Sequence, residues 1–188
     1  MEILAVSGSL RVGSYNTNLL RASLHAAPAG VEVRLFDTAG IAQLPLYNAD
    51  LDDATASEPV ARLREEWGAA DGILFATPEY NGSFPGGLKN AIDWASRPLP
   101  DAALRNKTVS VIGASTGQFG AMWAQADLRK VLGIAGARVV GDELPVTRAH
   151  DKFNHEGQLL DTELHERLGL LLKTLADTIT KLAIAAAA

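Results

Sequence analysis

A loop rich in hydroxyl side chains follows the first apolar run of the chain and leads directly into a predicted helix. Its candidate binding residues are Ser9, Arg11, Ser14, Tyr15 and Asn16. The free N–H groups and the dipole of a helix N-terminus attract an anion, and an arginine can bind its oxygens with two parallel hydrogen bonds. The loop has neither a Walker A nor a Rossmann glycine pattern. It therefore predicts a site for a terminal phosphate monoester, such as that of FMN, or else only a helix cap at Ser14 beside a solvated Arg11.

A second loop, rich in proline and glycine, follows the third apolar run. Its central residues are Pro78, Glu79, Tyr80 and Asn81. A planar, electron-poor ring requires a flat wall and backbone amides directed at its edge, and this segment can supply both. Tyr80 can pack on one face of such a ring. The loop therefore predicts a ring-binding site, and the alternative is a simple turn with Tyr80 on the surface.

The third loop, which follows the fourth apolar run, allows two interpretations. Its small polar residues, which suit the ring edge or the ribityl chain of a flavin, are Ser115, Thr116 and Gly117. The same segment matches the G-x-S-x-G nucleophile elbow, and Asp142 and His150 follow in the order of a hydrolase triad. An elbow serine opens its helix at once, however, whereas residues 118–120 intervene here. We therefore prefer the ligand-binding interpretation and keep a serine esterase that uses Ser115 as the weaker alternative.

The three loops contain no convincing acid–base pair, nucleophile or metal site. Glu79 has no second carboxylate near it in these loops, the four histidines lack metal-ligand spacing, and cysteine is absent. Chemistry without such groups has to be carried by a bound cofactor, and hydride transfer by a flavin is of this kind. We therefore predict a cofactor-dependent protein without a metal.

Short apolar runs alternate with helical stretches and predict the frame that positions these loops. The predicted strands are Ile3–Val6, Val31–Phe36, Gly72–Thr77, Val109–Gly113 and Ala137–Val140. The predicted helices are Asn16–Ala27, Pro59–Ala70, Gly87–Ala95, Gly120–Leu132 and Asp161–Leu182, the last with Asp161 as its N-cap. Repeated β-α-β units predict a flavodoxin-like α/β fold: a doubly wound, five-stranded parallel sheet in the order 2-1-3-4-5, with helices on both faces. The alternating pattern of Val31–Phe36 suits an edge strand.

The composition is that of one ordinary globular domain, which we expect to span residues 1–188. Apolar residues make up 47% of the chain and charged residues 21%. The net charge of −5 argues against a nucleic-acid partner, which requires excess positive charge. No secretory leader pattern and no long apolar span are visible, so we expect a cytoplasmic protein without membrane contact.

Together, these motifs closely resemble those of the NADPH-dependent FMN reductase family, which comprises flavodoxin-like chromate, quinone and azo-dye reductases. The resemblance is carried by Gly8-Ser9-Leu10-Arg11, by Pro78-Glu79-Tyr80-Asn81 and by Leu88-Lys89-Asn90-Ala91-Ile92-Asp93-Trp94. Leu44-Pro45-Leu46-Tyr47-Asn48 and the pairs Ala124-Gln125 and Leu128-Arg129 add to it. The resemblance extends from the first strand to the last helix.

The resemblance implies non-covalent FMN, with NAD(P)H as the hydride donor and NADPH favoured. It implies that the first loop holds the phosphate end, that Pro78 to Asn81 flank the isoalloxazine, and that Ser115 to Gly117 complete the site. On this basis we expect an enzyme that reduces a small-molecule acceptor in a ping-pong cycle. The candidate acceptors are quinones, free flavins, azo or nitro compounds and metal oxyanions.

The resemblance also implies a homodimer with each flavin near the subunit interface. Some relatives form a tetramer through a polar network that includes an aromatic residue. This chain has Ala126 and Asp127 at that place, so we do not expect such a tetramer. The alternative function is a flavodoxin-type electron carrier that has no NADPH activity of its own.

Overall fold

The computed structural model describes residues 1–52 and 57–187, and a parallel sheet lies at its centre. Its predicted strands are observed as β1 (Glu2–Ser7), β2 (Glu32–Leu35), β3 (Gly72–Thr77), β4 (Thr108–Ala114) and β5 (Arg138–Val139). They lie in the order β2-β1-β3-β4-β5, which confirms the flavodoxin-like prediction. β3 and β4 are buried along their whole length, because helices cover both faces of the sheet, and this explains their continuous apolar sequence.

β2 lies at the edge of the sheet, as its alternating pattern predicts. It runs parallel to β1, with Val33 opposite Ile3. Val33 is buried in the core, whereas Arg34 forms ion pairs with Glu2 at 3.2 Å and with Glu66 at 2.8 Å. Such partly exposed pairs contribute at most about 1 kcal/mol each, so the burial of Val33 sets the register of this strand.

The helices cover both faces of the sheet, as predicted. On one face lie α1 (Tyr15–Ala26) and α6 (Thr162–Ala187), and on the other lie α2 (Thr38–Ala42), α3 (Glu58–Ala69), α4 (Gly86–Ala95) and α5 (Met122–Ile134). Asp161 is the N-cap of α6, as predicted, since its Oδ1 accepts a hydrogen bond from the N–H of Leu164 at 2.9 Å. Within the described ranges, no helix is both long and apolar enough to cross a membrane.

The outermost strand next to β4 differs from the prediction. The run Ala137–Val140 forms a strand only at β5, which pairs with the first part of β4. A further short strand, β6 (Leu144–Val146), pairs in parallel with the last part of β4. The chain leaves the sheet between them because Gly141 adopts a φ of +71°. Because β6 pairs with the end of β4, the segment that follows β6 lies beside the loop that follows β4.

Candidate functional site

The predicted loops after β1, β3 and β4 meet at the carboxyl ends of their strands around one open cleft of about 180 Å³. The cleft is lined by Ser9, Arg11, Ser14, Tyr15, Asn16, Pro78, Glu79, Tyr80, Ala114, Ser115 and Thr116. Of the predicted site residues, Asn81 and Gly117 lie outside this lining. A wider cavity of about 740 Å³ opens beside α4 and α5, but no predicted site residue lines it. We assign the site to the cleft because ligands of doubly wound sheets bind where the strand order reverses.

The serine hydroxyls of the first loop hold its backbone at the start of α1. The N–H of Ser9 donates to the Ser7 hydroxyl at 3.2 Å, and that hydroxyl lies 2.9 Å from the hydroxyl of Thr17. Ser14 stands at the N-cap position of α1, yet its side chain makes no capping hydrogen bond. The interpretation of Ser14 as a helix cap alone is therefore wrong. Its hydroxyl remains available to a ligand, beside the N–H groups of the first helical turn, which have no intrahelical partner.

Arg11 is the positively charged group of the cleft. Its guanidinium carbon lies 5.8 Å from the centre of the Tyr15 ring, and its Nη1 donates one long hydrogen bond, of 3.3 Å, to the carbonyl of Val12. In the part of the chain that the structure describes, no carboxylate lies within ion-pair distance of Arg11. The charge at this end of the cleft is therefore available to an anionic ligand.

The side chain of Asn16 binds the backbone at the end of β4, a structural role that the sequence did not predict. Its Nδ2 donates to the carbonyl of Ala114 at 2.9 Å, and its Oδ1 accepts from the N–H of Ala114 at 2.8 Å. This buried side chain thereby binds the end of β4 through both of its polar groups. The Asn16 side chain joins the first loop to the third.

The loop after β3 forms a tight hairpin. Tyr80 and Ser83 exchange backbone hydrogen bonds of 2.9 and 3.2 Å. Asn81 and Gly82 between them have φ values of 55° and 77°, as in the turns that Asn-Gly pairs favour. Asn81 therefore sits at the tip of the turn, outside the cleft, whereas the ring of Tyr80 borders the cleft with 51% of its surface exposed.

Glu79 uses its side chain to cap α5. One carboxylate oxygen accepts hydrogen bonds from the N–H groups of Trp123 and Ala124, at 3.1 and 3.2 Å. Ala121, at the N-cap position itself, has no side chain that could do this. The Glu79 carboxylate is thus directed at the first turn of α5.

A segment that sequence analysis missed supports the loop after β4. The N–H of Arg148 donates to the carbonyl of Gly117 at 3.0 Å, and the N–H of Ala149 donates to the carbonyl of Ser115 at 2.9 Å. Further along, the Phe153 ring packs on Tyr15 with 5.7 Å between the ring centres. The only sequence signal for this segment is the short apolar run of β6 before it. Residues 147–153 therefore support the third loop and Tyr15 from outside the lining of the cleft.

The nucleophile-elbow motif has a packing explanation. A Cβ on Gly113 would lie 2.9 Å from the carbonyl oxygen of Thr77, so glycine is required there by the close approach of β3. Among the described residues, the Ser115 side chain has no hydrogen bond to His150, and the imidazole of His150 lies 3.4 Å from Asp151 instead. The structure therefore gives no support to a Ser–His–Asp triad. Nor do the described residues contain a group of three or more His, Asp or Glu side chains that could hold a metal ion.

A parallel sheet of this order, with its ligand loops at the ends of β1, β3 and β4, defines a flavodoxin-like protein. The chain belongs to the NADPH-dependent FMN reductase family, which it matches over residues 1–151. This match confirms the resemblance that the loop motifs indicate. It also confirms the expectation of an enzyme that uses FMN as cofactor with NAD(P)H as co-substrate.

Known relatives and solved structures resemble the chain over most of its length. An NAD(P)H-dependent FMN reductase of Pseudomonas aeruginosa is 42% identical over 176 residues, which cover 93% of both chains. A quinone reductase of Escherichia coli K12 is 42% identical over 141 residues, which cover 74% of this chain and 73% of that protein. The flavoenzyme NAD(P)H:(acceptor) oxidoreductase of Paracoccus denitrificans superposes with a TM-score of 0.85 at 35% identity, covering 96% of this chain and 97% of that one.

Proposed function

We propose that this protein is an NADPH-using quinone reductase in which FMN occupies the cleft and NADPH and the acceptor bind in turn over the same open face. The observation that carries the proposal is the convergence of three loops on one cleft whose lining includes the cationic Arg11 and the aromatic Tyr80. Because the described helices all pack on a single sheet, we also propose that residues 1–188 act as one domain.

The first loop would hold the phosphate end of FMN. Arg11 supplies a positive charge with no carboxylate partner in the described ranges, and Ser9 and Ser14 bring hydroxyls to the N-terminus of α1. Tyr15 and Asn16 complete this end. These groups fit a terminal phosphate because its oxygens accept hydrogen bonds and carry negative charge.

The second and third loops would hold the ring end. Pro78 and Glu79 border the cleft, and Tyr80 offers an aromatic face beside them. Ser115 and Thr116 also line the cleft, while Asn81 and Gly117 belong to these loops but lie outside the lining. Bound FMN supplies the hydride chemistry in such an enzyme, and the residues of the chain orient the ring and direct backbone amides at its edge.

An open cleft admits acceptors of several shapes. The relative from Escherichia coli is named a quinone reductase, which favours a quinone as the acceptor here. Free flavins, azo and nitro compounds and metal oxyanions are further candidates that fit the same open face. A ping-pong order follows if NADPH and the acceptor need the same surface and exclude each other from it.

We further propose that the protein works as a homodimer. The rings of Phe119 and Trp123, which follow the third loop, lie 4.7 Å apart with their planes inclined at 57°, and 54% and 47% of the two residues are exposed. Two such aromatic side chains on the surface of one molecule are typical of a protein–protein interface. A second copy of the chain on this patch would place each cofactor cleft beside the subunit boundary.

The test is an anaerobic visible spectrum of the purified protein with FMN, followed after addition of NADPH. We expect the bound flavin to lose its yellow absorbance as soon as NADPH is mixed in. Addition of a benzoquinone should then reoxidise the flavin and restore the absorbance. Bound flavin that stays oxidised with NADPH would instead indicate an electron carrier. If no flavin binds, turnover of a p-nitrophenyl ester that depends on Ser115 would indicate the hydrolase instead.

A further inference from the structure

The hairpin Tyr80–Ser83 is attached to α5 on two sides. On one side, the Glu79 carboxylate accepts the two hydrogen bonds from the first turn of α5. On the other side, the Ser83 hydroxyl donates a hydrogen bond to the carboxylate of Asp127. Asp127 is partly buried and lies in the second turn of the same helix. Two carboxylates therefore hold one short hairpin against one helix.

The internal bonds of the hairpin do not fix the direction in which Tyr80 faces. The two backbone hydrogen bonds between Tyr80 and Ser83 set the shape of the turn, but they allow the turn to tilt as a unit relative to the sheet. Phe84 anchors the far end of the hairpin in the core. The contacts with α5 are then the ones that oppose a tilt of Tyr80 away from the cleft.

We propose that Asp127 is a positioning residue for the cofactor site, which acts through Ser83 to keep Tyr80 at the cleft. The inference rests on the proposed function, because it takes the cleft as the FMN site. A carboxylate strengthens the hydrogen bond that a hydroxyl donates to it, and partial burial limits competition from water. In the described ranges Asp127 forms no ion pair with a basic side chain. Its carboxylate instead accepts the hydrogen bond from Ser83 in the hairpin.

The experiment is a double-mutant cycle on the full chain, with two readouts: the FMN dissociation constant and the visible circular dichroism of bound FMN. Asp127→Ala and Ser83→Ala are each expected to weaken FMN binding about tenfold, the lower end of the effect of losing one hydrogen bond to a charged group. Both variants should change the flavin dichroism in the same way. The double variant should bind FMN no more weakly than either single variant, because the two side chains act through one bond.

Two further variants separate positioning from general destabilisation. Asp127→Asn keeps an oxygen that can accept from Ser83, so it should restore FMN affinity to within about twofold of the wild type. Asp177→Ala removes an exposed carboxylate from α6, on the opposite face of the sheet, and should leave both readouts unchanged. If Asp127→Ala does not fold, Ser83→Ala and Asp127→Asn alone still test the bond.

Three outcomes would overturn the inference: additive losses in the cycle, single variants that bind FMN as the wild type does, or an Asp127→Asn variant as weak as Asp127→Ala. A wild-type protein that binds no FMN would refute the proposed function itself. Wild-type binding with unresponsive variants would refute the role of Asp127 alone.

Discussion

Arg11→Ala is expected to weaken FMN binding strongly while leaving the fold intact. In the structure the guanidinium makes one long hydrogen bond, of 3.3 Å to Val12, and its contact with the Tyr15 ring is at 5.8 Å. The side chain is exposed, so its removal takes little packing from the protein. A hydrogen bond to a charged group contributes about 1.5–3 kcal/mol. The loss corresponds to a roughly 10- to 150-fold increase in Kd.

The assay is a fluorescence titration of the apoprotein with FMN and, in parallel, with riboflavin. Riboflavin lacks the phosphate, so the variant and the wild type should bind it with the same affinity. Arg11→Lys keeps the charge but loses the planar fork of donors, and it should bind FMN with intermediate affinity. Arg62→Ala is the matched control, since it removes an exposed arginine from α3 that does not line the cleft.

Two results would refute the assignment of Arg11 to the phosphate. The first is an FMN affinity of Arg11→Ala equal to that of the wild type. The second is an equal loss of affinity for FMN and riboflavin, which would place Arg11 at the ring instead. A variant with a lowered unfolding midpoint would show that the contact with Tyr15 matters for the fold.

Two further predictions concern stability. Asn16→Ala removes both hydrogen bonds to Ala114 and leaves backbone groups of β4 without partners, so urea unfolding of the apoprotein should show a loss of about 2–4 kcal/mol. Asn16→Asp would set a carboxylate oxygen against the Ala114 carbonyl in a buried place, so it should lose at least as much. A loss below about 0.5 kcal/mol in the alanine variant would contradict the role of these two hydrogen bonds. Burial alone would raise the pKa of Glu66, but hydrogen bonds from Arg34 and Arg62 outweigh it and hold this pKa below the ordinary value of 4.5. A carboxylate with a lowered folded-state pKa stabilises the protein above its unfolded-state value and loses this contribution as the pH falls through the folded-state pKa. Urea unfolding at stepped pH should therefore show a steeper loss below about pH 4.5 in the wild type than in Glu66→Gln, and parallel curves would exclude this role.

The order of the sheet could be predicted because strands buried on both faces have continuous apolar sequences that need no knowledge of distant contacts. The cleft could be predicted for a related reason. Parallel strands end at the same edge of a sheet, so loops that follow β1, β3 and β4 must meet there. Residue type then indicated that Arg11 supplies the positive charge of the cleft and that Tyr80 supplies an aromatic ring.

The side-chain partners could not be predicted, because they depend on contacts between distant parts of the chain. Asn16 bonds to Ala114, 98 residues away, and Glu79 bonds to Trp123, 44 residues away. β6 was missed because it has three residues and contains Pro145, which is too short a run for periodicity to indicate a strand. The supporting segment that contains Phe153 was missed with it.

The two hydrogen bonds between Asn16 and Ala114 also determine when the site can form during synthesis. They close a loop of 98 residues, so a nascent chain cannot complete the cleft before residue 114 has left the ribosome. Closing so long a loop is slow, because the chain loses entropy before it gains contacts. A cofactor that binds the folded cleft and not the unfolded chain stabilises the folded protein by mass action. The flavin concentration during synthesis would then affect how much of the newly made protein is folded, as well as how much is active.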